Sequence, residues 1–590
     1  MLQELDQLAN YLETPAVQGG LPPIGYESAT VEFAIDLNNS SIVPLYQEPD
    51  PKRKSTTQQL GRRVLTTIRL SNHAPALLDD KLKYILGTGS NGPKCQPKYR
   101  ELLGLLLSSA DPPFPWAPAI QQLLDCPQLA EAAAIQTGLP LAEVADKRCR
   151  LLWDGEPVVN DPQVRIWWRN HVLERDGGQQ GNCSITGQTG LIVSKTIPAT
   201  VKGIPGAQLS GAKLSCFDKP SMCSWGLQQN ANAPLLASVG LRSHAALQVL
   251  IEDKNHHAKL GNQLWVFWGT EGEGIKEEMW QEQPAGAMWR DPSAFTQIIG
   301  AFDDATKSGT LPPRKLDRPF FLASLRAHGA RIAITRWETT TIRHMVDRLQ
   351  WFRSAQCPHQ RWRPLALWQL RQVAFHKAPK PPETAYIDDA LLACALQNAP
   401  LPDQYAQRLL DRLCAEGDLE TYWNPKKVAW VLLQRIQALA LYLASRNINI
   451  PMDNQSLPFA LGQACFWMAQ AQARAQKRPL AATNVVQALR GILQSPSRVA
   501  GLFPNFFNHL KELGSVHDLY LERFSRAIAA TGTTGDCFPE SFSVEDQALF
   551  MVGFAMACAD NAENRHAAAQ KKQAAQAEIA DDSEIFDLED

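Results

Sequence analysis

Two hydrophobic periods divide the chain. In the first three hundred residues Val31, Phe33, Ile35 and Leu37 alternate with polar or small residues, the period of a half-buried strand. The aromatic run from Leu264 to Trp268, ahead of Gly269, predicts a second strand, and the stretch from Arg331 to Trp337 a third. Pro- and Gly-rich breaks fall at 111–118, 177–190 and 203–211. The opening MLQELDQLANYLE predicts an amphipathic helix. The last two hundred residues change to helical spacing. Helices are predicted over 427–443, around Ala460, Ala464, Trp467 and Ala471, over 502–513 and over 543–559. Thr483 is placed to cap one more helix, whose apolar face is Val485, Leu489 and Ile492.

This change of period predicts an α+β fold. A mixed α/β region spans 1–310, a basic, aromatic-rich middle region 311–425, and an α-helical bundle 426–566. The Pro-rich stretch at 378–382 is the expected connector ahead of the bundle. Residues 567–590 turn Ala/Gln-rich, then hold six acids in the last ten positions, and predict a mobile acidic tail. At 590 residues with 45% hydrophobic content, the chain is long enough for several buried cores. The most apolar run, 428–444, is interrupted by Gln434, Arg435 and Gln437 and is short for a membrane span. The N-terminal helix carries Glu4, Asp6 and Glu13, unlike a signal peptide. A soluble cytoplasmic protein is the expectation. The twelve cysteines contain no C-x-x-C pair, which argues against a zinc knuckle.

The net charge of -2 hides an uneven distribution. Residues 51–100 hold eleven Lys/Arg against Asp79 and Asp80. Residues 311–380 hold fourteen against Asp317, Glu338 and Asp347, with Trp337, Trp351, Phe352, Trp362 and Trp368 interleaved. Phosphates need cations, and aromatic planes stack on unpaired bases, so both windows point to nucleic acid.

Catalytic constellations are scarce. There is no G-x-x-x-x-G-K-[ST], H-E-x-x-H or G-x-S-x-G. His256-His257 and His517-Asp518 are the only adjacent pairs that a metal-dependent nuclease could use, and neither comes with further ligands in sequence. No catalytic residue, cofactor or metal is expected.

The segment KGIPGAQLSGAKLSCF (202–217) is unusual: Gly203, Gly206 and Gly211 surround Gln208, Ser210 and Lys213. Glycines allow close backbone approach, a Gln amide can read base edges, and Ser and Lys can hold phosphate. Gln228, Gln229, Asn230 and Asn232 follow. A structural turn region is an equally open reading of both stretches.

At this loop the sequence resembles the large subunit of the subtype I-C CRISPR interference complex, Cascade. LPPIGYESATVEFAIDL (21–37) is similar to that family's opening. Arg69, Ser71, Pro75, Leu78, Asp80 and the run Lys83 to Gly87 resemble its second block. Asn182-Cys183 with Thr186-Gly187 resembles a turn. Lys202-Gly203, Gly206-Ala207-Gln208 and Ser210-Gly211-Ala212 resemble its most specific motif. Gly226 and Asn232-Ala233-Pro234, Val266-Phe267-Trp268, and Asp546-Gln547 with Phe550 and Gly553 continue the series. The chain departs from the family at Asn72, at Ala76-Leu77, at Pro198 and at Phe554-Ala555-Met556.

The resemblance implies a non-catalytic subunit. Such a subunit recognises a protospacer-adjacent motif in target double-stranded DNA, helps open the duplex, stabilises the R-loop and helps recruit a nuclease-helicase. Implied partners are a guide CRISPR RNA, backbone and handle-binding subunits, and a small helical subunit. The small subunit is expected from an internal start, for which Met452 is the candidate. On this reading Gln208, Ser210, Asn230, Asn232 and Asn72 contact the motif. Lys52, Arg53, Lys54, Arg62, Arg63, Lys202, Lys213, Arg361 and Arg363 contact nucleic-acid backbone. An assembly subunit that binds guide RNA and partner subunits without reading DNA remains the alternative.

Overall fold

The computed structural model describes residues 1–14, 20–47, 59–70, 74–174, 178–193, 197, 199–217, 219–275, 299–301, 313–360, 362–375, 384–415, 429–448, 450, 456–530 and 538–586. The fold is α+β, as the change of period predicts. The chain divides into two compact units. The first comprises Met1–Asp253, Thr270–Gly272 and Leu325–Trp337, and the second Lys254–Gly269, Glu273–Ser324 and Glu338–Asp590.

The first unit is built on α1 (Leu2–Leu12), β1 (Tyr26–Val31), β2 (Phe33–Asp36), β3 (Ser41–Pro44), β4 (Arg62–Thr67), β5 (Asp80–Lys81), β6 (Arg148–Trp153) and α2 (Ala237–Glu252). The alternating run at 31–37 predicts one strand, but the chain forms two, in different sheets. The break is Glu32, which is tied both ways. Its carbonyl accepts from the Leu45 N–H at 2.8 Å, and its carboxylate accepts from the Arg148 N–H at 2.9 Å. β1 therefore pairs with β4 in an antiparallel ribbon. β2 joins the sheet β3-β2-β6-β5, to which the short strand Glu156–Pro157 adds on β6. The parallel register of Phe33 with Cys149 and Ile35 with Leu151 puts alternate residues into one core, shared with Leu82, Leu103, Leu106 and Ile120. On α1, Leu5, Leu8, Ala9 and Leu12 fall on one face and are buried. Arg242 of α2 reaches back to Asp6 and Glu13 at 3.6 and 3.4 Å.

The second unit opens with β7 (His257–Leu260) and β8 (Gln263–Gly269), and every residue of β8 is buried. They share a four-stranded sheet with β9 (Pro319–His328) and β10 (Arg331–Thr341). The tip of that long hairpin groups with the first unit. Helices follow: α3 (Ile342–Ser354), α4 (Ala385–Gln397), α5 (Ala429–Ser445), α6 (Leu457–Ala475), α7 (Asn484–Gln494), α8 (Phe503–Lys511), α9 (His517–Ala530) and α10 (Val544–Phe586). α6 is apolar all round and buries most of its length, as a central helix must. Thr483 caps α7 as expected, its Oγ1 accepting from the Val486 N–H at 3.4 Å.

Two features of the organisation differ from the expected boundaries. The chain does not divide at 310, because Lys254–Gly269 belongs with the second unit and the hairpin tip with the first. The middle region does not stand apart: Leu349 of α3 and Leu391 of α4 share one hydrophobic core with Leu439 and Leu461 of the bundle. The last helix runs as far as Phe586. The Ala, Gln, Lys and Glu content of its C-terminal part favours helix even without an apolar face. Met452, Asn72, Lys52, Arg53, Lys54, Arg361 and the connector at 378–382 lie outside the described residues. Among the described residues, no helix is long and apolar enough to cross a membrane.

Candidate nucleic-acid interface

The Gly-rich segment forms a closed loop. Val201 and Ala212 exchange backbone hydrogen bonds at 2.7 and 2.8 Å across its neck. One arm is fastened to the hairpin tip. Ala327 N–H donates to Pro205 O at 2.9 Å, and Gln208 N–H donates to Gly329 O at 3.2 Å. The other arm follows it: Lys213 N–H donates to Ala330 O, and Ile332 N–H to Lys213 O, each at 2.9 Å. This contact explains Gly206. Its φ is +83°, and a Cβ there would sit 2.3 Å from Ala327 O. At the far end Gly211 N–H donates to Gln208 O at 2.8 Å, closing a four-residue turn. The turn exposes Gln208, Leu209 and Ser210, and Leu209 is fully exposed.

Beneath the turn lies a cleft of about 970 Å³, contained within the first unit. One wall is the stretch Leu21–Ser28, held by the Trp168 indole N–H, which donates to Gly25 O at 2.7 Å. Among the described residues, Arg63, Arg69, Lys81, Lys83, Arg148, Lys202, Lys213 and Arg242 line the cleft against only Glu27 and Glu252. Several of these cations are positioned by carboxylates. Arg63 pairs with Glu252 at 2.7 Å and donates to Ser28 Oγ at 2.9 Å. Lys81 and Lys83 share Asp146 at 3.2 and 2.6 Å, and their hydrogen bonds hold that carboxyl below its ordinary value. Lys202 and Arg148 approach Glu27 at 3.5 and 3.6 Å. Arg69 is fixed by Asp80 and lies over the Tyr84 ring, 4.2 Å from its centroid. The exposed pairs among these, such as Arg63 with Glu252, are worth about 0–1 kcal/mol, so a polyanion can displace them. The cleft is lined by cations, most of them paired with carboxylates, with a polar turn and an apolar tip at its rim.

Residues 7–559 match the family described as CRISPR-associated protein (Cas_Csd1). The chain belongs to this family. Among curated proteins, none matches the chain.

Within this CRISPR-associated chain the expected site residues separate. Gln208, Ser210, Lys202, Lys213 and Arg63 come together at the cleft. Arg62 does not line it, because neighbouring strand residues point to opposite faces. Asn230 is fully buried and cannot reach a base edge. Asn232 folds its own loop. Its Oδ1 accepts from Ser224 N–H at 2.9 Å, and its Nδ2 donates to Leu227 O and Gln229 O at 3.2 and 2.9 Å. Both asparagines therefore leave the list of motif contacts. What that stretch does present is Trp225, almost fully exposed at φ +55°. Arg148 and Arg242 enter the site although both lie outside the two basic windows; β6 and α2 deliver them.

Part of the second basic window is paired or buried. Arg343 pairs with Asp317 at 2.8 Å, Arg348 with Glu338 at 2.7 Å, and Arg371 approaches Asp388 at 4.0 Å. Arg353 is buried, and Phe352 and Trp362 are core residues. Arg363 is exposed and belongs to the second unit. His517 meets only Asp518, at 3.0 Å, and no third metal-ligating side chain joins them among the described residues.

His244 locks the loop's outgoing arm. Its Nε2 accepts from Leu214 N–H at 3.1 Å and its Nδ1–H donates to Gly240 O at 2.8 Å, which requires a neutral ring. Burial pushes the imidazole down to about 4 from its ordinary 6.5. The sign follows from proton uptake: between these values the unfolded chain binds the proton and the folded chain does not. The contribution is complete above pH 6.5 and is lost as pH falls toward 4, about 3 kcal/mol in all. Urea titrations across that range should show this slope in the native chain and a shallower one in His244→Gln. Parallel slopes would remove His244 from this role.

Proposed function

We propose that the chain is the large subunit of a subtype I-C CRISPR interference complex and that it uses the first unit's cleft to read a protospacer-adjacent motif in duplex DNA. The observation that carries the reading is the convergence of the Gln208–Gly211 turn with eight cationic side chains in one trough. Cations that replace counterions on phosphate give affinity without sequence preference. The Gln208 amide offers a donor and an acceptor to one base edge, and Ser210 a hydroxyl to base or phosphate. Leu209, exposed at the tip, is suited to wedge between base steps and begin strand separation. Guide RNA pairing then reads the remaining sequence, a division of labour known for another class of effector. The subunit performs no chemistry itself. It holds the opened duplex beside the backbone subunits, handle-binding subunit and small helical subunit, and it offers a surface to a nuclease-helicase.

The test is selection from duplexes randomised beside a guide-matched target, using the assembled complex. Gln208→Ala should flatten the selected motif by about 1–3 kcal/mol of discrimination while keeping the salt dependence of binding. Arg63→Ala with Lys202→Ala should weaken all sequences alike and reduce the salt slope by about 2. If Gln208→Ala lowers all sequences equally, or changes nothing, the turn does not read the motif. An unchanged slope in the double variant would place the cleft away from DNA and favour the assembly role.

A further inference from the structure

In the second unit, far along the chain from the cleft residues, three potential metal ligands converge. His359 lies in the loop after α3; Asp560 and Glu563 lie one turn apart on α10. His359 Nε2 is 3.5 Å from Asp560 Oδ1 and 3.7 Å from Glu563 Oε1, and the three ligand atoms all lie within 4.8 Å of one another. A direct charge-assisted hydrogen bond would draw nitrogen and oxygen to about 2.7–2.9 Å. A tetrahedral cation with bonds of about 2.0–2.2 Å instead holds its ligands roughly 3.3–3.6 Å apart. The two nitrogen–oxygen spacings, 3.5 and 3.7 Å, fall close to the ligand spacing of such a cation.

The nitrogen is held in a built position. His359 is 1% exposed. Its carbonyl accepts from the Trp362 N–H at 3.0 Å, and the Trp362 ring leans on the imidazole at 5.9 Å. On either side the loop is clamped by the buried Gln356, which donates to Phe352 O at 3.0 Å and accepts from Leu365 N–H at 2.7 Å. The carboxylates are only partly exposed, at 32% and 24%, so water can reach a fourth position from their side.

We propose that His359, Asp560 and Glu563 bind one divalent cation of the Zn²⁺ class, which fastens α10 to the loop after α3. One imidazole and two carboxylates form a borderline donor set, suited to Zn²⁺ or Co²⁺ more than to Mg²⁺ or Ca²⁺. The ion would offset the two carboxylate charges and act as a staple within the second unit. The proposal is independent of DNA recognition.

The full-length chain, stripped with a chelator, is titrated with Zn²⁺ alone by calorimetry and with Co²⁺ by visible absorption. The expected result is one equivalent bound, a tetrahedral or five-coordinate Co²⁺ spectrum, and a melting midpoint raised by Zn²⁺. Asp560→Asn combined with Glu563→Gln keeps side-chain size at partly exposed positions and should fold. It should bind at least about tenfold more weakly and lose the Zn²⁺-dependent rise in melting midpoint. Absence of binding by the intact chain, or equal binding by the double variant, would overturn the assignment and leave an ordinary imidazole–carboxylate contact.

Discussion

Gly553→Ala should destabilise the bundle by about 1–3 kcal/mol, although alanine is the better helix former by about 1 kcal/mol. The two effects have opposite signs, so the outcome identifies which one governs. α6 and α10 cross with glycines facing each partner's backbone. A Cβ at Gly553 would lie 2.2 Å from Phe459 O, and one at Gly462 would lie 2.0 Å from Phe550 O. Neither obstacle is a flexible side-chain end; each is a main-chain carbonyl of the opposite helix, so relief requires the helices to separate. Separation would loosen Phe459, Phe550 and Phe554, which are buried in the same core. Gly462→Ala should behave alike. The two together should cost less than their sum, because one separation relieves both contacts. Chemical denaturation followed by helical circular dichroism measures this. A stabilised Gly553→Ala variant would mean that propensity governs and the crossing is loose.

That crossing also explains one part of what the sequence revealed. Phe550 and Gly553 stand out as a motif, and the structure gives the motif a packing reason. Helices were legible wherever one face is apolar at constant spacing, as in Val485, Leu489 and Ile492, and the Thr483 cap was legible because its chemistry is local. Strand identity was less so. Nothing in the alternation from Val31 to Leu37 announces that Glu32 bonds to both Leu45 and Arg148, and the sheets part there. The division into two units was also hidden, since it depends on where one hairpin's tip and base each pack.

The candidate site divides in the same way. Gln208 and Ser210 could be found because glycines bracket them at short range. Asn230 and Asn232 have the same composition and a different fate, since amide content cannot distinguish a residue that is buried or folds its own loop from one exposed at the cleft rim. Charge windows misjudge compensation for a related reason. Asp388 lies outside the second window yet sits near Arg371, while Arg148 and Arg242 lie outside both windows and reach the cleft through tertiary structure. Position along the chain is a poor guide to electrostatics in a fold with this many non-local pairings.

Beneath the cleft, Asp79→Ala should cost about 3–5 kcal/mol. Asp79 is fully buried. Its carboxylate accepts from Arg150 Nε at 3.0 Å and from the Leu151 N–H at 3.3 Å, and Arg150 also donates to Leu65 O. One carboxylate thus joins β6 to the segment that continues into β5, and through Arg150 to β4. Those three strands carry Arg148, Lys81 and Arg63 to the cleft wall. Removing the carboxylate leaves Arg150 charged, 11% exposed and without its counterion, which is far costlier than losing a surface pair. Replacing both partners, as Asp79→Leu with Arg150→Met, should recover most of the stability, because no buried charge then remains. Denaturant titration of the single and double variants separates the two cases. A single variant within about 1 kcal/mol of the native chain would mean that water reaches Arg150, and that the cleft does not depend on this pair for its shape.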